Sequence, residues 1–160
     1  MSYLLANDGV NGKAGAAFMV KDGQNIELFG LKKYESNAEI QTSEFPVVGS
    51  LIDQTKVKGI KYSGTLTIYY GTPAFLDVLT EYKKTGRFPE IKLQVINNDK
   101  GSSVGSQTVA IYGVILTKIP IAMLDDSADY LQEEIPFNFT DYEVLQGFKS
   151  APAQLGKGGY

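Results

Sequence analysis

The sequence predicts a mainly β protein: a two-sheet antiparallel sandwich or partial barrel carrying one α-helix. Three observations lead there. Most of the chain alternates apolar and polar residues with period two, the mark of half-buried strands. Short turn-forming stretches such as "KDGQ" (21–24) divide the alternating segments. Only residues 72–86 combine a helical apolar stripe with start and stop signals.

The first strand is "AGAAFMV" (14–20), followed by a turn in which Gly23 is free to take positive φ. "NIELFGLKKYESNAEI" (25–40) continues as strand. In its second half Lys33, Glu35, Asn37 and Glu39 line one face, and Tyr34, Ser36, Ala38 and Ile40 the other. In "VKGIKYSGTLTIYY" (57–70), Ile60, Tyr62, Leu66, Ile68 and Tyr70 share one face. Lys61, Ser63, Thr65, Thr67 and Tyr69 share the opposite one.

The helix follows. Thr72 suits the N-cap, Pro73 the first helical position and Gly86 the C-cap. Phe75, Leu79 and Tyr82, with Leu76 and Val78 beside them, form the stripe expected to pack on the core. Lys83 and Lys84 in the last turn favour the helix dipole. Strands "EIKLQVIN" (90–97), "SQTVAIYGVILTKI" (106–119) and "YLQEEIPFNFTDYEV" (130–144) complete the order: strand-like segments, the helix, then three strands. The segment 106–119 is apolar on both faces, so it belongs in the middle of a sheet or under cover on both sides.

Two stretches fall outside this scheme. Residues 41–56, "QTSEFPVVGSLIDQTK", read as a long loop, too apolar for a solvated linker. Its Glu44, Phe45, Val47, Val48, Leu51 and Ile52 are candidate contacts with another surface. Residues 149–160 are Gly-rich and are expected to form a flexible tail after a single domain over 1–148.

The composition excludes much chemistry. The 160 residues carry a net charge of −3, which gives no support for an open basic nucleic-acid surface. There is no cysteine, so disulfides, thiolate metal sites and cysteine nucleophiles are out. There is no histidine, which removes the commonest general base and metal ligand. The start "MSYLLANDGVNGK" lacks a basic region and a long apolar run, so no signal peptide is expected, and no apolar run is long enough for a membrane helix.

Candidate motifs read as structural. Asp125, Asp126 and Asp129 lack the EF-hand spacing and its glycine, so a solvated turn is expected rather than a calcium site. "GSSVGSQT" (101–108) lacks the Gly-Lys-Ser/Thr end of a phosphate loop. Glu133 and Glu134 are strand neighbours and point to opposite faces, so they cannot work as a carboxylate pair. The ten tyrosines suit core or interface positions; a carbohydrate-binding β-sandwich with tyrosine platforms is the alternative from a different class. Nothing assembles a nucleophile, base and oxyanion hole, so no enzyme and no cofactor are expected. What remains is binding or assembly.

Several motifs in order resemble the tail tube proteins of contractile-tailed phages, tailocins and PBSX-like prophages of Gram-positive bacteria. The resemblance runs over about residues 11–146. It begins with "NGKAGAAFMVKDGQ", continues with "PVVGS" and "KGIKYSGTLTIYYGTPAFLDVLTEYKKTG", and is strongest in "EEIPFNFTDYEV". Two stretches depart from the family pattern: "NIELFGL" is longer, and the Gly-rich end after Phe148 is added.

The resemblance implies hexameric rings that share a continuous β-barrel and stack into the inner tube of a contractile tail. DNA, or ions in headless relatives, would pass through the lumen without specific binding. Implied partners are further copies, the tail sheath, and baseplate and tail terminator proteins, with no membrane anchor. The implied location is the virion tail, after assembly in the host cytoplasm. A type VI-like secretion tube protein is the alternative within this class. On this reading Lys33, Glu35, Asn37, Glu39, Lys61, Ser63, Thr65 and Thr67 are the candidate lumen face, and the loop 41–56 bridges rings. Ile135, Phe137 and Phe139 pack under the helix against Phe75 and Leu79, while Glu134, Pro136, Asn138 and Thr140 face a channel or seam.

Overall fold

The computed structural model describes residues 12–13, 15–28, 30–102 and 104–148. The expected tail at 149–160 lies outside them. Strands β1 (Gly15–Lys21) and β2 (Gln24–Glu27) form a tight hairpin. Lys21 pairs with Gln24, so only Asp22 and Gly23 turn, with φ of 47° and 84°. Two successive left-handed residues match the twist of the flanking strands, and Asp-Gly tolerates that conformation well.

Residues 25–40 are not one strand. Leu28 is buried, Gly30 takes φ 73°, and β3 (Leu31–Phe45) starts afresh in the other sheet. β3 pairs antiparallel with β4 (Gln54–Tyr69), from Leu31↔Ile68 to Phe45↔Gln54. The expected loop 41–56 is therefore mostly strand, and only residues 46–53 reverse the chain. The register shifts between Gln41 and Thr42, which leaves Lys58 over on β4. Such a bulge breaks the alternation by which a strand is recognised.

Helix α1 (Ala74–Thr85) links the sheets. Pro73 itself is the N-cap, one position later than expected, and Thr72 Oγ1 accepts from the Ala74 N–H at 3.4 Å. Gly86 closes the helix at φ 71°, donating its N–H to the Tyr82 carbonyl. The buried stripe is Phe75 and Val78. The expected stripe is thus turned: Leu79 is only half-buried, and Tyr82 is exposed, with its ring edge-on to Phe88. Lys21 on β1 ties the helix down through Glu81 at 3.1 Å.

The remaining strands are β5 (Ile91–Asn98), β6 (Ser106–Tyr112), β7 (Ile115–Leu116), β8 (Gln132–Asn138) and β9 (Asp141–Gln146). One sheet has the order β2-β1-β5-β6-β9, the other β3-β4-β8-β7. Four strands precede the helix, and five follow it rather than the expected three. Both late segments cross between sheets at one corner. Gly113, at φ 66°, separates β6 from β7, and Thr140 separates β8 from β9. The Thr140 N–H and hydroxyl both donate to the Tyr112 carbonyl, at 3.1 and 3.3 Å. A Cβ at residue 113 would run into Thr140 Oγ1, so the corner requires glycine for space as well as for φ.

The core fills the space between the sheets. Met19, Leu93 and Ile111 come from the first sheet, Leu66, Ile68, Ile135 and Phe137 from the second, and Phe75 and Val78 from the helix. Phe137 stacks on Tyr34 at 5.9 Å and lies over Gly64, where an added Cβ would sit 2.5 Å from the ring. Phe137 thus packs along its own sheet as well as joining the cluster that holds Phe75.

Candidate functional site

The four-stranded sheet has two unlike faces. Pairing sets Lys33 opposite Thr67, Glu35 opposite Thr65, Asn37 opposite Ser63 and Glu39 opposite Lys61. The structure therefore brings all eight candidate lumen residues onto one face. β8 extends it: Glu134 pairs with Thr67, Pro136 with Thr65 and Asn138 with Ser63. The β3 members are exposed, and Ser63, Thr65 and Thr67 are half-covered by their neighbours. Threonines stiffen a strand while keeping a polar surface. Ile135, Phe137 and Phe139 point into the core, as the alternation requires.

Charge on the polar face is largely balanced. Lys33 Nζ lies 3.7 Å from Glu35 Oε2, and Asn37 donates to Glu35 Oε1 at 2.9 Å. Each exposed pair contributes little to stability, about 0–1 kcal/mol. Both edges of this sheet are unpaired among the described residues: β3 along 15 residues and β7 along two. Open edges of this kind are templates for pairing with another chain.

Beyond the sandwich, β3 and β4 project as an arm. Val48 and Leu51 at its tip are fully exposed, with Phe45, Val47 and Ile52 also open to solvent. Three apolar residues escaped the sequence reading as contacts. Ile40, Val57 and Ile60 are on average more than half exposed, because the arm carries the core-side face past the end of the core. The only signal for this was strand length, since Ile60 has the same alternation as the buried Leu66.

Glu133 was also missed. It is the one charged side chain buried among the described residues, at 3% exposure, and its Oε1 has no hydrogen-bond partner there. It pairs with Ile68 on the core face. Burial pushes its carboxyl above the ordinary value of 4.5. The folded state thus holds the proton more tightly than the unfolded chain. Stability from this group is fully present below pH 4.5 and is lost as pH rises through the folded value. Glu133→Gln is expected to be more stable than the parent at pH 7, with the gap closing below pH 4.5 in denaturant titrations run across pH. A gap that is constant with pH would contradict the buried carboxyl. Burial also pushes the Tyr34 hydroxyl up to about 12.

No group of three or more acidic side chains is placed to hold a metal ion among the described residues. Asp125 instead fixes a local turn, accepting from the Ser127 N–H at 3.0 Å and its hydroxyl at 2.6 Å, which holds its carboxyl below the ordinary value.

This fold is shared with chains of contractile injection systems. The chain superposes with one from the sheath–tube complex of the PVC extracellular contractile injection system in its extended state. The TM-score is 0.64 at 11% identity, over 89% of this chain and 94% of that one. A chain from the sheath/tube terminator of the same system gives 0.66 at 9% identity, over 89% and 100%. Residues 2–146 match the family described as phage tail tube protein, and the chain belongs to that family. It is also 34% identical over 141 residues to the phage-like element PBSX protein XkdM of Bacillus subtilis (strain 168), covering 88% of this chain and 93% of that one. It is thus a phage tail tube subunit, a structural component of the tail.

Proposed function

We propose that the subunit closes into hexameric rings whose four-stranded sheets join edge to edge around a central channel. The polar face carrying Glu35, Thr65 and Pro136 lines that channel. The observation that carries this reading is the four-stranded sheet itself: one face is core, the other is small and polar, and both edges are unpaired among the described residues. The five-stranded sheet is the weaker candidate, because Ala110 on its outer face is buried outside the central core.

The rings stack through the arm tips, with Glu44, Phe45, Val47, Val48, Leu51 and Ile52 bridging from one to the next. The near-balanced wall lets DNA, or ions in a headless particle, pass without specific binding. The subunit is non-enzymatic, assembles in the host cytoplasm, and meets the sheath along the outside and baseplate and terminator proteins at the ends. Purified protein concentrated and imaged in negative stain is expected to form six-fold rings and short tubes. A strictly monomeric species at every concentration would contradict the proposal.

A further inference from the structure

The longest open edge among the described residues is complementary to itself. β3 offers 15 residues of edge, whereas β7, on the far side of the same sheet, offers two. The register of β3 on β4 shifts at Leu31/Lys33 and again at Gln41/Thr42, which leaves residues 33–41 as its regular stretch. Alternation there puts Lys33, Glu35, Asn37 and Glu39 on the polar face and Tyr34, Ser36 and Ala38 on the core side.

We infer that two free subunits pair through this stretch, antiparallel and about a two-fold axis at Ser36, before they enter a ring. An open strand edge is a template for a second strand, and a two-fold contact joins the same patch of both copies. The charges select the copy and the register. With Ser36 opposite the partner's Ser36, Lys33 lies opposite the partner's Glu39 and Glu35 opposite the partner's Asn37, each twice. Glu39 makes no ion pair or hydrogen bond among the described residues, and Lys61 stands opposite it on β4, so pairing sets it between two cations. Like charges meet only on the diagonal, where Glu35 stands roughly 7–8 Å from the partner's Glu35 and the partner's Glu39. Within its own strand Glu35 already has Lys33 at 3.7 Å and Asn37 at 2.9 Å. Moving the axis to Asn37 would set Glu35 directly against the partner's Glu39, and moving it to Glu35 would set two glutamates face to face. On the core side Tyr34 lies opposite the partner's Ala38, large against small. The inference rests on the ring reading, which uses this same edge: a paired subunit is held out of the rings, and its long edge is covered until assembly.

The chain has no cysteine, so an introduced one reports cleanly. Directly opposite residues of antiparallel strands have Cα atoms about 4.5–5.5 Å apart, within reach of a disulfide. The full chain at low concentration is expected to run as a dimer in light scattering. Ser36→Cys is expected to give a disulfide-linked dimer on mild oxidation, and Ser63→Cys, on the inner strand β4, is not. The linked dimer is expected to form no tubes until it is reduced. Normal tubes from a chain whose Ser36→Cys links no faster than Ser63→Cys would overturn the dimer and leave the ring reading standing. Linked dimers that build normal tubes without reduction would overturn β3 as the ring seam and leave the dimer standing. A chain that stays monomeric and forms no rings would overturn both. For the register, Glu39→Lys is expected to weaken the dimer about five- to tenfold in Kd, since two opposite-charge pairs become like-charge pairs. Adding Lys33→Glu is expected to restore it. A dimer unchanged by Glu39→Lys, or not restored by the double variant, would contradict the axis at Ser36.

Discussion

Phe137→Ala is expected to destabilise the isolated subunit by about 3–5 kcal/mol, the range for emptying a buried aromatic site. The ring is 1% exposed, stacks on Tyr34, leans on Phe139 at 6.1 Å and covers Gly64. None of these neighbours can refill its place cheaply. Gly64 has no side chain, Tyr34 is held by β3, and Phe139 is stacked on Tyr62. The control lies on the same strand. Glu134→Gln alters an exposed carboxylate on the opposite face and is expected to leave stability nearly unchanged. Urea unfolding of both variants, under conditions that keep the protein monomeric, decides the matter. A neutral Phe137→Ala with a strongly destabilising Glu134→Gln would mean that the faces of β8 are reversed.

Shortening the arm is expected to separate folding from assembly. Replacing residues 46–53 by Asn-Gly joins Phe45 to Gln54, already the last paired residues, through a two-residue hairpin turn. The tip's hydrogen bonds among the described residues stay within it: the Ser50 N–H donates to the Val47 carbonyl, and Ser50 Oγ bonds Ile52. Its removal therefore leaves no buried group of the sandwich without a partner. Thermal unfolding is expected to match the parent subunit, while long tubes disappear and rings remain in electron micrographs. Tubes of normal length from this variant would refute a bridging role for the tip.

The sequence reading succeeded where local chemistry decides conformation. Asp22-Gly23 and Gly86 do what such residues do in turns and helix ends. The strict alternation of Glu134 to Phe139 sorted the two faces of β8 correctly, because a strand buried on one side has no freedom to slip. It failed where tertiary context decides. Gln41–Phe45 looked like loop because the arm is open to solvent on both faces there, so Gln41, Thr42, Ser43 and Glu44 show no apolar alternation. The breaks at Gly113 and Thr140 were hidden by continuous apolar runs, since a strand that changes sheets stays buried throughout. The helix stripe was placed one position off because Phe75, Leu76, Val78 and Leu79 offer two overlapping faces, and the sheets beneath select between them. For the candidate site, the eight polar positions were visible from periodicity alone. The exposure of Leu124 and Tyr130 was not, because they sit in an irregular segment with no period to reveal which way they face.

A reconstruction of the assembled tube at side-chain resolution tests the central claim most directly. The account predicts six subunits per ring, with the β3-β4-β8-β7 sheets continuous around the channel and Glu35, Thr65 and Glu134 facing the lumen. A channel lined by helix α1 or by the outer face of the five-stranded sheet would contradict it.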